Sequence, residues 1–492
     1  GIPYTIETDI FVTEVMFMTE QQKDVKKITW YTLSLMAFST VWGFGNVING
    51  FAAYHGLRSI VPWILVFLFY FIPYALMVGE LGSAFRHTAG GVSAWIHETI
   101  GPKMAFYAGW TYWIVHMPYI SQKPTTALIA AGWILFGDGR VSELPTVALQ
   151  LGGLAIFLLA LFLASRGVSW IKRISSIAGS AMFLMSILFI LLMLAAPAIR
   201  PAAPQLHKTV LRLSDFLPQF QPSFFLNLSI LILAVGGCEK ISPYVNKMQD
   251  PARGFPRGMI ILAIMVMTCA ILGTIALGML VDSSAIPADF MTNGAYFAFQ
   301  SVGRIYGVGN ALMLLYAIAF FIGQISVIIL SIDAPLRMLL DSADEQYIPK
   351  ALLQKNRRGV YQNGYLLIAV IVGILILLPA FGIGSINEIV KYLIRLNAIC
   401  MPLRYLWVFA AYIAMRRAKA HYNPSYRFVK NRHLGTAAGI WCFALTAVSC
   451  AGGIFNADSA FQLIMNLVTP FVLLGLGLLL PFLAALQRAK KK

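Results

Sequence analysis

A chain of 492 residues that is 59% hydrophobic and only 12% charged is not a soluble globular protein, in which about a quarter of residues are charged. Its net charge of +17 would suit a nucleic-acid binder. The basic residues, however, cluster in short segments between apolar runs, which speaks against a nucleic-acid partner and fits the positive-inside rule.

Apolar runs of about 20 residues recur along nearly the whole length, continuous rather than alternating, as in an all-α integral membrane protein and not a β-barrel. Residues 1–27 are polar and mixed, carry no cleavable signal pattern and read as a cytoplasmic segment. Twelve spans follow, at roughly 28–54, 60–85, 104–135, 146–165, 171–196, 223–240, 258–281, 305–340, 364–381, 386–415, 434–454 and 461–486. Of the 37 lysines and arginines, 27 fall on one side of this scheme and 7 on the other, with Lys123, Arg395 and Arg404 inside spans. The richer side is expected to be cytoplasmic, with both termini there.

The first span contains Thr40-Val41-Trp42-Gly43-Phe44-Gly45-Asn46-Val47-Ile48-Asn49-Gly50. Glycine costs about 1 kcal/mol against alanine in a helix interior, and asparagine competes for backbone hydrogen bonds. A helix break is therefore expected here, and in lipid an opened backbone is tolerated only around a cavity or inside protein. The sixth span repeats the theme with Val235, Gly236 and Gly237. Two interrupted spans, each opening a block of five, suggest an inverted repeat of residues 28–196 and 223–415, with residues 434–486 appended. Freed N–H groups at such breaks hold a carboxylate, and the opposing half-helix ends hold an α-amino group. Tight helix packing is the structural alternative for these glycines.

Ionisable groups inside spans are functional hypotheses by default. Lys123, beside Ser121 in the third span, needs an anionic partner, a bound anion or a lowered pKa. Asp333, beside Ser331 in the eighth, is a partner for Lys123 or a substrate amine, or else sits hydrated at the cytoplasmic end. Glu80 is expected in a cytoplasmic ion pair near Arg86. Glu239 and His116 are proton-coupling candidates, with backbone acceptance and packing as their structural alternatives. Lys240 is expected to point away from the break, and Arg395 and Arg404 to reach toward polar ends. The five cysteines lack metal-ligand spacing, so no metal or cofactor is expected. No group of residues has the spacing of a catalytic centre, which disfavours a membrane-embedded enzyme; a receptor would want a large soluble domain.

Four stretches resemble the amino acid/polyamine/organocation (APC) transporter superfamily, and most closely its glutamate:GABA antiporter branch. They are the broken first span; Phe71-Ile72-Pro73 with Glu80, Gly90-Gly91-Val92-Ser93-Ala94-Trp95 and Gly101-Pro102; Gly237-Cys238-Glu239 with Val245-Asn246-Lys247-Met248 and Asp250-Pro251-Ala252-Arg253; and Asp333-Ala334-Pro335-Leu336-Arg337 with Tyr347-Ile348-Pro349. The resemblance implies the LeuT-like five-plus-five fold with broken helices 1 and 6, and a site lined by spans 1, 3, 6, 8 and 10. The expectation is a secondary transporter of the bacterial inner membrane, monomer or homodimer, that moves an amino acid or amine by alternating access. Exchange is the leading mode and proton symport the alternative. Backbone at Gly43, Phe44, Gly45, Asn46, Val235, Gly236 and Gly237 would hold the substrate's α-carboxylate and α-amine, and Trp42 and Phe44 would cap the site as an aromatic gate. Ser121, Lys123, Ser331, Asp333 and Arg395 would set the preference for its side chain.

Overall fold

A computed structural model describes residues 28–206, 213–381, 386–418 and 422–489. The N-terminal segment 1–27, Lys208, Arg212, Lys419 and Lys490 to Lys492 lie outside the described residues. Among the described residues there is no strand, only an isolated bridge between Ile28 and Met248.

The α-helices of eight residues or more are α1 (Trp30–Val41), α2 (Phe44–Ala53), α3 (Gly56–Ala84, with a π-turn at Phe67–Phe71), α4 (Val92–Thr99), α5 (Pro102–Phe136) and α6 (Thr146–Ala164). Then come α7 (Val168–Ile199), α8 (Leu228–Val235), α9 (Pro251–Gly278), α10 (Phe290–Ile305), α11 (Ala311–Leu340) and α12 (Gln362–Leu377). The last are α13 (Ile386–Cys400), α14 (Tyr405–Arg417), α15 (Arg432–Ile454), α16 (Ala460–Gly475) and α17 (Leu479–Ala489). Among the described residues nine helical stretches are long and apolar enough to cross a membrane. The α1–α2 stretch falls short because it is broken, and α5 because of its polar residues.

Two boundaries differ from the sequence reading. The eighth span, expected from residue 305, starts at Ala311, and residues 290–305 form a separate helix, α10. Gly307 and Gly309 both have positive φ in the turn between them, a conformation glycine adopts without strain. The tenth span is α13 and α14 joined by a 3-10 turn at Met401–Arg404 that contains Pro402. Proline removes an N–H and distorts the preceding turn, and here it redirects the side chains around it.

Both expected breaks are present. Trp42 and Gly43 are extended, at φ −127° and −142°, and they separate α1 from α2. Gly236 is extended and Gly237 left-handed at φ 108°, after which Cys238–Lys247 runs as a 3-10 helix. A side chain at Gly236 would meet the Tyr405 ring and hydroxyl, with the nearest atom at 2.1 Å, and one at Gly237 would be strained by φ alone. The breaks are stitched together by Asn46, whose Nδ2 donates to Val41 O at 3.2 Å and Ala234 O at 3.3 Å.

Around this pair stand the long unbroken helices. The most extensive packing in the molecule is between α11 and α5. With 35 residues, α5 is about 52 Å long at 1.5 Å per residue. That exceeds the roughly 30 Å hydrocarbon thickness of a bilayer, so α5 must tilt or project.

Candidate functional site

A cavity of about 170 Å³ lies between the two breaks and the faces of α5, α7, α10, α11 and α13. A single water needs only about 10–15 Å³ on the same measure, so the space accommodates a small organic molecule. Its wall includes Trp42, Gly43, Gly45 and Asn46 from the first break, Gly236 and Lys240 from the second, and Tyr119, Gln122 and Lys123 from α5. Gln324 of α11, Asn397 of α13, Arg404 and Tyr405 add further polar groups, as do Tyr296 and Tyr316.

The charge of this wall is one-sided. Lys123, Lys240 and Arg404 line it, and no carboxylate does among the described residues. The Lys123 ammonium lies 4.5 Å from the centroid of the Tyr119 ring and the Lys240 ammonium 5.5 Å from the same centroid. Two cations thus converge on one aromatic ring, each drawn by its quadrupole. Lys123 has no acidic partner among the described residues, and Lys240 Nζ donates to Ser331 Oγ at 2.5 Å.

Arg404 is the balanced cation. Its Nε is 3.2 Å from Glu239 Oε1, and the other carboxylate oxygen, Oε2, accepts from the Tyr74 hydroxyl. Glu239 is fully buried, so an unpaired charge there would be very costly and the pairing is obligatory. Arg404 Nη1 is 2.6 Å from His116 Nε2. Arginine only donates, so Nε2 accepts, and the ring proton sits on Nδ1, 2.5 Å from Tyr112 O. His116 in this arrangement is neutral, and it orients the guanidinium.

Five buried polar atoms on lining residues have no hydrogen-bond partner among the described residues, leaving aside Arg404 Nε with its ion pair to Glu239: Trp42 Nε1, the Tyr296 and Tyr316 hydroxyls, Gln324 Oε1 and Asn397 Oδ1. A buried polar atom left unsatisfied costs about 1–3 kcal/mol. The wall therefore offers one spare donor, two spare acceptors and two hydroxyls able to do either beside its cations. Asn397 is held by its own Nδ2, which donates to Gln122 Oε1 at 3.2 Å.

The remaining residues singled out in the sequence lie elsewhere. Phe44 is buried in an aromatic cluster, its ring centroid 4.6 Å from that of Phe189 and 5.2 Å from that of Phe299. Val235, Gly237 and Ser121 are close to the cavity in sequence but do not line it. Ser331 reaches it only through Lys240. Asp333 pairs neither with Lys123 nor with solvent. It is buried, with Arg337 Nε at 2.6 Å from its Oδ2 and the hydroxyls of Tyr244 and Tyr365 at 2.7 and 2.9 Å. Arg395 lines a different cavity, and its Nη1 is 2.5 Å from Asp458 Oδ2. Glu80 pairs with Arg416 at 2.9 Å rather than with Arg86, which bonds Ser83 O.

Sequence reasoning missed Lys240 and Arg404 as lining residues. The left-handed Gly237 resets the helix phase, so the side Lys240 takes cannot be counted from α8. The signal for Arg404 was Pro402, two residues ahead of it.

The sequence profile of the amino acid permease family matches residues 28–479. The aspartate/glutamate permease AcaP of Lactococcus lactis subsp. cremoris is 47% identical over 476 residues, 95% of this chain and 97% of that protein. The inner membrane transporter YjeM of Salmonella typhimurium is 24% identical, over 86% of this chain and 88% of its own. The glutamate/gamma-aminobutyrate antiporter of Lactococcus lactis subsp. lactis is 22% identical, over 90% and 88%.

Proposed function

The chain belongs to the amino acid permease family of the APC superfamily and is a multi-pass protein of the bacterial cytoplasmic membrane, and on that premise we propose that it transports acidic amino acids. The observation that carries this reading is the wall of the central cavity, with three cations and no carboxylate. With Arg404 offset by Glu239, two lysines remain to meet the two carboxylates of aspartate or glutamate. An ammonium about 4 Å from a carboxylate gains on the order of 4 kcal/mol at an effective dielectric constant of 20. That decides between an acidic and a neutral side chain even after part is returned to dehydration. The side-chain oxygens of Gln324 and Asn397 are acceptors for the substrate ammonium, and Trp42 Nε1 is a further donor. An amine with a single carboxylate leaves one lysine without a counter-charge. The 47% identity to an aspartate/glutamate permease supports the same substrate class.

The proposed architecture is twelve spans with a five-plus-five inverted repeat and broken first and sixth helices, both termini being cytoplasmic. Transport proceeds by alternating access, with exchange of one amino acid for another as the mode and proton symport as the alternative. The relatives are permeases and transporters, so the enzyme reading has no support from them.

The test is counterflow in liposomes. Vesicles loaded with unlabelled glutamate should accumulate labelled aspartate and glutamate saturably, and γ-aminobutyrate, glutamine and leucine poorly. Equal handling of neutral and acidic amino acids would sink the reading. Uptake into empty vesicles under an inward proton gradient would assign symport, and uptake only into loaded vesicles exchange.

A further inference from the structure

A second cavity, of about 380 Å³, adjoins the first. Met291 and Ile394 line both and so form the partition between them. The second cavity is built from the end of α2, the start of α8, residues 286–290, α13 and the turn between α15 and α16. These segments are held to one another by asparagines. Asn227 Nδ2 donates to Ala53 O at 2.8 Å, and Asn456 Nδ2 donates to Asn227 Oδ1 at 2.8 Å.

Among the described residues one permanently charged side chain lines this space, beside the imidazole of His55. Arg395 follows the partition residue Ile394 directly. Its side chain is 19% exposed, whereas that of its partner Asp458 is 65% exposed. The pair is lopsided: the guanidinium belongs to the cavity wall and the carboxylate largely to solvent. An ion pair with so exposed a member is weak, so an incoming carboxylate can take the place of Asp458.

We propose that Arg395 is a receiving site for one carboxylate of the acidic amino acid on its way to the central cavity, and that Asp458 occupies the guanidinium until displaced. This rests on the acidic-substrate reading of the central site. The step is an exchange of one carboxylate for another on the same cation, so the charge at Arg395 is balanced before and after. The substrate then passes Met291 and Ile394 to Lys123 and Lys240. In the proposed orientation the second cavity is at the outer end of the molecule.

Saturable aspartate uptake into right-side-out membrane vesicles tests this with Arg395→Gln, Asp458→Asn and the double variant, alongside equilibrium aspartate binding and thermal unfolding of each purified protein. Arg395→Gln should raise KM about tenfold with a smaller change in maximal rate. Asp458→Asn should lower KM, because it removes the competing carboxylate, and the double variant should resemble Arg395→Gln. If the pair only braces the two segments, both single variants change KM in the same direction and lower the unfolding temperature together, and the proposal falls. An unchanged KM in Arg395→Gln, with aspartate uptake intact, overturns it while leaving the central site as read. A wild-type protein that takes up another class of amino acid but no aspartate overturns both.

Discussion

Lys123 and Lys240 share one ring, Tyr119, and the substrate class turns on whether that convergence holds a carboxylate. Charged hydrogen bonds contribute about 1.5–3 kcal/mol net, or roughly 10- to 150-fold in affinity. Lys240→Met and Lys123→Met should each raise the KM for aspartate by that factor and narrow its advantage over a neutral amino acid, as read by competition in vesicles. Asp333 should behave differently. Its carboxylate accepts from Arg337, Tyr244 and Tyr365, and truncating one member of a buried pair strands the other at about 3–5 kcal/mol. Asp333→Asn should lower the thermal unfolding midpoint and leave the acidic-over-neutral preference intact. The sequence reading set Asp333 against Lys123, a substrate amine or water and passed over Arg337, although the two are four residues apart and one helical turn makes such residues neighbours. Lys123 as a lining cation was legible, because a mid-span ammonium needs a reason. The spare oxygens of Gln324 and Asn397 were not, because an amide inside a span carries no charge that would mark it against its alternatives.

At the scale of elements, glycine placement made both breaks readable, because few other residues so weaken a helix interior. What followed each break was not readable. After the first, the chain resumes as the ordinary α-helix α2, and after the second it continues as ten residues of 3-10 helix. The difference traces to Gly237, whose left-handed conformation turns the chain where Trp42 and Gly43 only extend it. Gly237→Ala forces an L-residue to φ 108°, a cost of about 1–2 kcal/mol. It should shift the unfolding midpoint modestly downward and slow transport more than it weakens equilibrium aspartate binding. A variant with normal transport rates would show that the turn at Gly237 does not matter to the cycle.

At the scale of the whole molecule, buried ion pairs tie together the end that carries the basic loops. Glu80 Oε1 meets Arg416 Nη1 at 2.9 Å, and Oε2 accepts from Tyr412 and from the Phe428 amide. Arg416 Nη2 in turn donates to Val429 O and Asn431 O, so residues 428–431 are strapped to α3 through one carboxylate. Glu80→Gln should lower the unfolding midpoint and expose residues 422–431 to protease in membranes, with the substrate order unchanged. The sequence placed Glu80 in an ion pair at this end but chose the nearest arginine along the chain, and folding brought a distant one. Lys240 has a further consequence. It lies three residues past Gly237 on the same broken segment, whereas Lys123 lies on the long continuous α5. In the proposed alternating-access cycle one cation sits on a continuous helix and the other on a broken one, so a ligand that bridges them also couples the two segments mechanically. A molecule that satisfies Lys123 alone would fill the cavity without that traction, and the half-amides of acidic amino acids are where non-transported blockers should be sought.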